Sequence, residues 1–470
     1  MRLALCDLLP RPTGRAYASA ILMAALVGVG AMGFATNLRA QTLFDAMIAA
    51  YQTNPTLQAQ RAGLRSADEG VPQARSNYRP TVTFDGSAAQ ETRDSSSSPS
   101  TSLTPLSANL RVSQPLYRGG RTVASVRQAE NIVRAARADL LSTEQSVLLL
   151  VVTAYLNVLR DQAVVQLNRS NEDVLTRQLQ AARDRFEVGE VTRTDVAQAE
   201  ARLSRATSER IQAQGNVTSS RANYRRAVGA EIGQIEAAPR ITDIPASYDA
   251  AVQTALEENP LLVSAQFTEA ASRDAIEVSR GSLRPTVSVN GDLSYNDELQ
   301  FRNSSTESAA ITARLNVPLY QAGSVFSQIR QNRQINSQRR IQVEETRRQV
   351  IESVTTAWSR LTTASAQIVS QLEQVRAAEL ALEGVEQEAE VGSRTTLDVL
   401  DAQQELLSAQ VALVRAQRDE YVAAFEVKSS IGRLTVAALG LGVEAFDEEV
   451  YYNRVRNRWF GTNGTLTGIE

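Results

Sequence analysis

Thr286-Val287-Ser288-Val289-Asn290-Gly291-Asp292-Leu293-Ser294-Tyr295-Asn296 alternates without a break. Val287, Val289, Gly291, Leu293 and Tyr295 fall on one side of an extended chain, and Ser288, Asn290, Asp292, Ser294 and Asn296 on the other. A joining segment rich in Asn, Glu and Ser follows, and the pattern resumes with Ala309, Ile311, Ala313, Leu315 and Val317 opposing Ala310, Thr312, Arg314 and Asn316. The first half of the chain does the same. Val82, Phe84, Gly86 and Ala88 oppose Thr81, Thr83, Asp85 and Ser87, while Leu106, Ala108, Leu110 and Val112 oppose Ser107, Asn109, Arg111 and Ser113. Period two over roughly 9–11 residues, with one apolar face, suits strands that have lipid outside and water inside. On that reading Val82, Phe84, Leu110, Val112, Val287, Val289, Leu293, Ile311 and Leu315 face lipid. A soluble hairpin resting on a core satisfies the same alternation. Closure separates the two, because unpaired backbone in lipid costs several kcal/mol per group and four strands do not close on themselves. Strands that span a membrane here require several protomers to share one barrel, and the alternation does not choose how many.

The strands sit inside a duplication. Asn54-Pro55 recurs as Asn259-Pro260 and Arg79-Pro80-Thr81-Val82 as Arg284-Pro285-Thr286-Val287, both at an offset of 205. Pro115-Leu116-Tyr117 returns as Pro318-Leu319-Tyr320, Val188-Gly189 as Val391-Gly392 and Asp195-Val196 as Asp398-Val399, all at an offset of 203. Matches at nearly constant spacing mark two copies of one structural unit. The expected organisation is repeat 1 over 41–229, a linker over 230–246, repeat 2 over 247–435 and a C-terminal segment over 436–470. Each repeat reads as a helix (near 43–78, then 247–282) followed by two strands, about 80–91 and 104–117, then about 285–296 and 308–319. A long helix follows (121–187, 324–390), and a return helix closes the unit (195–228, 398–431). At ~1.5 Å per residue the long helix spans on the order of 100 Å and each short one about half that. Two short helices stacked end to end beside one long one is the economical packing.

Composition narrows the chemistry. The 470 residues include no histidine and one cysteine, Cys6, and Lys428 is the only lysine among 49 basic residues. Imidazole bases, His metal ligands, zinc fingers and a cysteine nucleophile in the body of the chain are thereby excluded, and no enzyme activity, metal or cofactor is expected. Arg2, Arg11 and Arg15 precede an apolar run from Ala18 to Phe34 and then small residues, the form of a secretory signal cleaved after Ala40 or Ala35. Loss of residues 1–40 removes four arginines and Asp7 and takes the net charge from −3 to −6, which disfavours nucleic acid as a partner. Val147 to Leu159, the longest apolar stretch beyond the signal, is interrupted by Thr153, Tyr155 and Asn157 and reads as a buried band within a soluble helix.

The duplicated helix–strand–strand–long helix–helix plan resembles the TolC-type outer-membrane efflux and secretion channels over nearly the whole mature chain. The likeness is densest at Val391-Gly392-Ser393-Arg394-Thr395-Thr396-Leu397-Asp398-Val399-Leu400-Asp401-Ala402, at Arg185-Phe186-Glu187-Val188-Gly189 through Thr194-Asp195-Val196, and at Pro318-Leu319-Tyr320-Gln321-Ala322-Gly323. The resemblance implies a mixed, mainly α fold. Its protomer contributes to a homotrimeric, twelve-stranded outer-membrane barrel that continues into a periplasmic α-helical barrel. It also implies outer-membrane lipid, a periplasmic adaptor (membrane fusion) protein and an inner-membrane efflux pump or ABC transporter as partners. Without a mature N-terminal cysteine the chain is similar to the non-lipidated branch.

At the tip, Thr192 to Asp195 and Thr395 to Asp398 each place Asp three residues after Thr at a helix start, the spacing of a capping box. Capping accounts for Asp195 and Asp398 but not for Asp401, which shares a helix face with Asp398 and has Gln198 as its counterpart. In a trimer, Asp398 and Asp401 would form two stacked rings of carboxylates attractive to cations. The resemblance puts the periplasmic gate at these two positions, and it implies a tip lock that includes Arg394, Thr194 and Asp195. The family's lock tyrosine is replaced by Ala389. Val188, Gly189, Val391 and Gly392 match the adaptor-docking turns, where Glu190 stands in place of the usual leucine. A periplasmic coiled-coil adaptor or structural protein without a barrel is the alternative function, and the four period-two segments argue against it. The C-terminal segment, with Glu444, Asp447, Glu448, Glu449, Tyr451 and Tyr452, is expected to wrap the tunnel's equator and to end in a mobile tail.

Overall fold

A proline drives the residue before it out of the α region yet fits the first turn of a helix, so an Asn-Pro pair ends one helix and starts another. The computed structural model, which describes residues 42–96, 98–239, 243–299 and 301–462, has such a break at Asn54. α1 (Leu43–Thr53) stops there with ψ 123°, and α2 (Pro55–Asp68) begins at Pro55. A second break at Glu69 precedes α3 (Gly70–Ser76). The single helix expected near 43–78 is therefore three. The predicted signal, residues 1–40, and the last eight residues of the tail lie outside the described residues.

β1 (Thr81–Ala88) comes next, then β2 (Glu91–Ser95), β3 (Ser98–Leu103) and β4 (Leu106–Arg118). The polar stretch between the strands expected at 80–91 and 104–117 is largely the β2–β3 hairpin, with Thr92 opposite Ser102 and Arg93 opposite Thr101. Threonine, with its β-branched side chain, fits a pleated strand as well as an exposed loop, so polarity alone misled. α4 (Arg121–Glu187) then runs for 67 residues, on the order of 100 Å, and α5 (Arg193–Val228) returns for 36.

The second unit repeats the order. α6 (Tyr248–Glu258) ends at Asn259, α7 (Pro260–Gly281) leads into β5 (Thr286–Asp297) and β6 (Ser305–Asn316), and α8 (Ser324–Glu390) turns into α9 (Thr396–Ser430). Two short helices follow, α10 (Val436–Leu439) and α11 (Glu448–Val455). β1, β4, β5 and β6 form one antiparallel sheet in the order β1-β4-β5-β6, with a register shift after Pro115, where proline lacks a ladder donor.

α4 packs against α5, α7, α9 and the α1–α3 segment, and α8 against α9, α7 and α6. The short helices do meet end to end beside the long ones. The Asn54 amide donates to the Ala227 carbonyl at 2.8 Å, and the Asn259 amide to the Ser430 carbonyl at 2.8 Å. Each asparagine also caps its own next helix, accepting from Thr56 N at 2.9 Å and from Leu261 N at 3.0 Å. One repeated side chain thus breaks a helix, starts the next and ties it to a third. Gly432, at φ 90°, packs so close to the Asn259 break that a Cβ would lie 2.6 Å from the Glu258 carbonyl oxygen.

The largest core lies midway along α4. Leu148, Val151, Val152 and Tyr155 meet Leu43 and Met47 of α1, Tyr224 and Val228 of α5, Phe425 of α9, and Leu434 and Val436 beyond it. α4 is long and apolar enough to cross a membrane by length and composition, yet this apolar band is what the core consumes. Ile232, Ile235 and Ala238 of the 230–246 segment pack on the same core, and the Tyr155 hydroxyl donates to the Glu236 carbonyl at 2.7 Å. The C-terminal segment joins them: Val436 N donates to buried Glu144 at 2.7 Å, Phe446 N to the Tyr51 hydroxyl at 2.8 Å, and the Tyr451 hydroxyl to Glu69 at 2.8 Å.

Candidate functional site

Antiparallel partners point to the same side of a sheet, so register alone fixes the faces. Val82 opposes Val112, which opposes Gly291, which opposes Ile311; Phe84, Leu110, Leu293 and Ala309 form the next row. Val287 pairs with Leu315, and Val289 with Ala313. All nine candidate lipid-facing residues therefore share one face. It is open: Phe84 is 70% exposed, Ile311 86% and Leu315 65%. Scattered apolar residues on a surface are ordinary, but a contiguous sheet face of them marks an interface with lipid or protein.

The opposite face is a polar network. The Arg111 guanidinium donates to Asp292 at 2.5 Å, Ser113 to Asn290 at 2.7 Å, and the hydroxyl pairs Ser87–Ser107 and Ser294–Ser308 lie 2.7 and 2.6 Å apart. One face of the sheet is apolar and the other is polar and hydrogen-bonded.

At the far end of the helices, Val188 and Val391 cap α4 and α8, and Gly189 and Gly392 follow at φ 82° and 81°. No atom lies within 4 Å of a Cβ built on either glycine, so the left-handed backbone, not crowding, calls for glycine. Val188 (71%) and Val391 (80%) are exposed on these turns, as is Glu190, whose N–H donates to the Arg185 carbonyl at 2.9 Å.

Both capping boxes form. Asp195 accepts from the Thr192 N–H and hydroxyl at 2.8 Å each, and Asp398 from the Thr395 N–H at 2.9 Å and hydroxyl at 2.8 Å. Those bonds, the backbone one first, hold the Asp398 carboxyl below the usual carboxylate range, with Arg394 nearby adding to the effect. Asp401 accepts from the guanidinium of Arg202 on α5. Arg394 donates to Glu388 of its own hairpin at 2.8 Å, and Thr194 lies exposed on the first turn of α5. Within the protomer the tip thus brings Asp398 and Asp401 onto one turn of α9, joins Asp401 to Arg202, and engages Arg394 with Glu388. Sequence reasoning missed Arg202. A signal was present, because Ala199, Arg202 and Ala206 are spaced to share one face of α5, and Ala199 and Ala206 are buried against α4 and Leu400 of α9.

A duplicated helical unit with a two-faced sheet at one end and capped hairpin turns at the other now has counterparts. The outer membrane efflux protein family matches residues 48–230 and again 251–433. The chain belongs to the outer membrane efflux protein family. It is 34% identical over 446 residues to the outer membrane efflux protein BepC of Brucella suis, covering 94% of this chain and 96% of BepC. It is 29% identical to the outer membrane protein TolC of Vibrio cholerae over 84% of this chain and 92% of that one. Among solved structures, the Campylobacter jejuni CmeC outer membrane channel superposes with a TM-score of 0.76 at 15% identity over 90% of each chain. The two family matches coincide with the two structural repeats, so the duplicated, mainly α plan is the family's fold, and this family member is an outer membrane efflux protein.

Proposed function

We propose that this protein is one third of a trimeric channel-tunnel, a passive exit duct for efflux or type I secretion. Three sheets of four strands close into one twelve-stranded barrel, with the nine apolar positions toward lipid, and the helices continue it across the periplasm. The sheet carries this reading: it has an exposed apolar face, a hydrogen-bonded polar face, and two outer strands, β1 and β6, offered to neighbouring copies. Strand edges left open in a bilayer are costly, so a sheet of this kind calls for closure by further protomers.

At the tip, Asp398 and Asp401 form the periplasmic gate, three of each ringed around the axis. Thr194, Asp195 and Arg394 lock it when closed, Arg394 exchanging Glu388 for the Thr194–Asp195 pair. Val188, Gly189, Glu190, Val391 and Gly392 dock a periplasmic adaptor, which with an inner-membrane efflux pump or ABC transporter draws the tip open. Glu190 adds a negative charge to that surface and favours an adaptor with a basic contact. Carboxylate rings at a constriction concentrate cations and repel anions. In planar bilayers the double variant Asp398→Asn/Asp401→Asn is expected to lose cation selectivity and divalent-cation block. Selectivity equal to the parent channel would remove the gate from these residues.

A further inference from the structure

The two return helices are counterparts, but beyond a shared first aspartate their tips differ in charge. α5 reads Asp195, Gln198, Arg202, and α9 reads Asp398, Asp401, Glu405 at an offset of 203. The extra carboxylate of repeat 2 faces the extra cation of repeat 1. Arg202 and Asp401 are bonded, and the pair bridges the two hairpins of one protomer. Its placement is fixed from both sides. Leu400, adjacent to Asp401, is buried among Leu175, Leu179, Ala182, Ala199 and Ala206, which anchors the first turns of α9 onto the α4–α5 hairpin. Arg202 stands between Ala199 and Ala206 on the packed face of α5, with 27% of its side chain exposed against 57% for Asp401.

We infer that Arg202 determines the ion selectivity of the tip; the inference rests on the gate assigned above to Asp398 and Asp401. While the hairpins are together, Arg202 neutralises Asp401, and the fixed negative charge facing the pore is that of Asp398, which is held ionised by its capping bonds. The carboxylate ring of a closed tip then counts three charges in a trimer, not six. When α9 moves away from α5, the bond breaks, Arg202 stays with its own hairpin, and Asp401 becomes a free carboxylate. Opening raises the negative charge of the mouth as well as its width. The Arg202–Asp401 contact is a charge mask more than a clamp, since a solvent-exposed ion pair contributes little to holding two elements together.

The test is a charge cycle on the full-length channel in planar bilayers, reading reversal potential in a KCl gradient and block by Mg2+. Arg202→Gln unmasks Asp401 and is expected to raise the K+ to Cl− permeability ratio and tighten Mg2+ block by roughly fivefold, the order of one unit charge near the pore in a watery setting. Asp401→Asn leaves Arg202 uncompensated and shifts both readings the other way. Arg202→Gln/Asp401→Asn returns them to the parent values, and Arg202→Lys, which keeps the charge, leaves them unchanged. Arg202→Gln with parental selectivity and block, in a channel where Asp398→Asn alters both, overturns the mask and leaves the gate standing. If Asp398→Asn and Asp398→Asn/Asp401→Asn are silent as well, the mask and the gate fall together.

Discussion

At the residue scale, this fold depends on a few positions where two chain segments come closer than a side chain permits. Gly119, at φ 65°, lies where the end of β4 meets the end of α7, and a Cβ there would stand 2.3 Å from the Gly281 carbonyl oxygen. Gly281 faces it in turn, with its own Cβ position 2.4 Å from Arg121 Cγ. This crossing joins sheet to helices in both repeats at once. Gly119→Ala meets both strain and a backbone clash, and is expected to cost about 1–3 kcal/mol. Thermal unfolding of the purified variant checks it: a melting temperature equal to the parent's would mean the crossing relaxes freely. Asn54 and Asn259 show what a residue-level reading can and cannot deliver. Their repetition was plain in the sequence, and the Asn-Pro pairing carries a helix break in its own chemistry. Their amide bonds to Ala227 and Ser430, however, join residues more than 170 positions apart, which no local pattern encodes. Arg202 and Asp401 are the same case at the tip: periodicity put Arg202 on the packed face of α5, but not opposite a particular carboxylate.

At the element scale, helix length and strand alternation were legible because each is written in the period of its own side chains. The sheet's faces could be read from alternation because the same pattern recurs on all four strands with nothing packed over the apolar side. The β2–β3 hairpin could not, since a ribbon with polar residues on both faces carries no period-two contrast. The C-terminal segment is held differently. Arg137 of α4 donates to Glu449 at 3.2 Å and lies over the Tyr452 ring at 5.4 Å, so one guanidinium holds α11 at two points besides the Tyr451–Glu69 bond. Beside it sits Asp68 of α2, buried, with neither carboxylate oxygen hydrogen-bonded. Burial pushes its carboxyl up to about 6 against the pull of Arg137, and Glu448, Glu69 and Arg65 also face it. Glu448 is raised as well, by burial first, with Glu449 and Asp447 adding to it. A carboxyl whose folded pKa exceeds its unfolded one binds its proton more tightly in the fold, so its effect on stability runs opposite to that of an ion-paired carboxylate. The docked segment is therefore expected to be most secure below the unfolded carboxylate range, near 4, and to loosen as pH rises through about 6. Limited proteolysis at the C terminus from pH 4.5 to 7.5 should show cleavage increasing with pH in the parent protein. Asp68→Asn, neutral throughout, should be more resistant at pH 7.5 and show a flatter pH profile. A variant with an unaltered profile would place the pH dependence elsewhere.

At the scale of the whole molecule, the single chain leaves its four-stranded sheet open at both edges. The sheet leaves β1 and β6 at its outer edges, and its apolar face is bare. An arginine at Val289 or Leu315 should cost about 2–4 kcal/mol near the bilayer midplane and block barrel assembly, while Ser288→Arg on the polar face should be tolerated. Membrane fractionation of the three variants distinguishes them; normal insertion of Val289→Arg and Leu315→Arg would mean that these faces do not meet lipid. Composition takes on a narrower sense at this scale. Histidine is absent from the chain and its one cysteine lies in the first ten residues, and the proposed duct uses neither imidazole nor thiol. What it needs is length, two distinct sheet faces and charge at a constriction. The length was read as two repeats from sequence, but the number of copies in a barrel is a property of the assembly, which one chain's alternation does not contain.

The most direct measurement is the mass and conductance of the purified full-length protein in detergent and planar bilayers. A stable trimer that conducts ions in discrete, cation-selective steps is expected. A monomer that stays in the aqueous fraction and leaves the bilayer silent would contradict it.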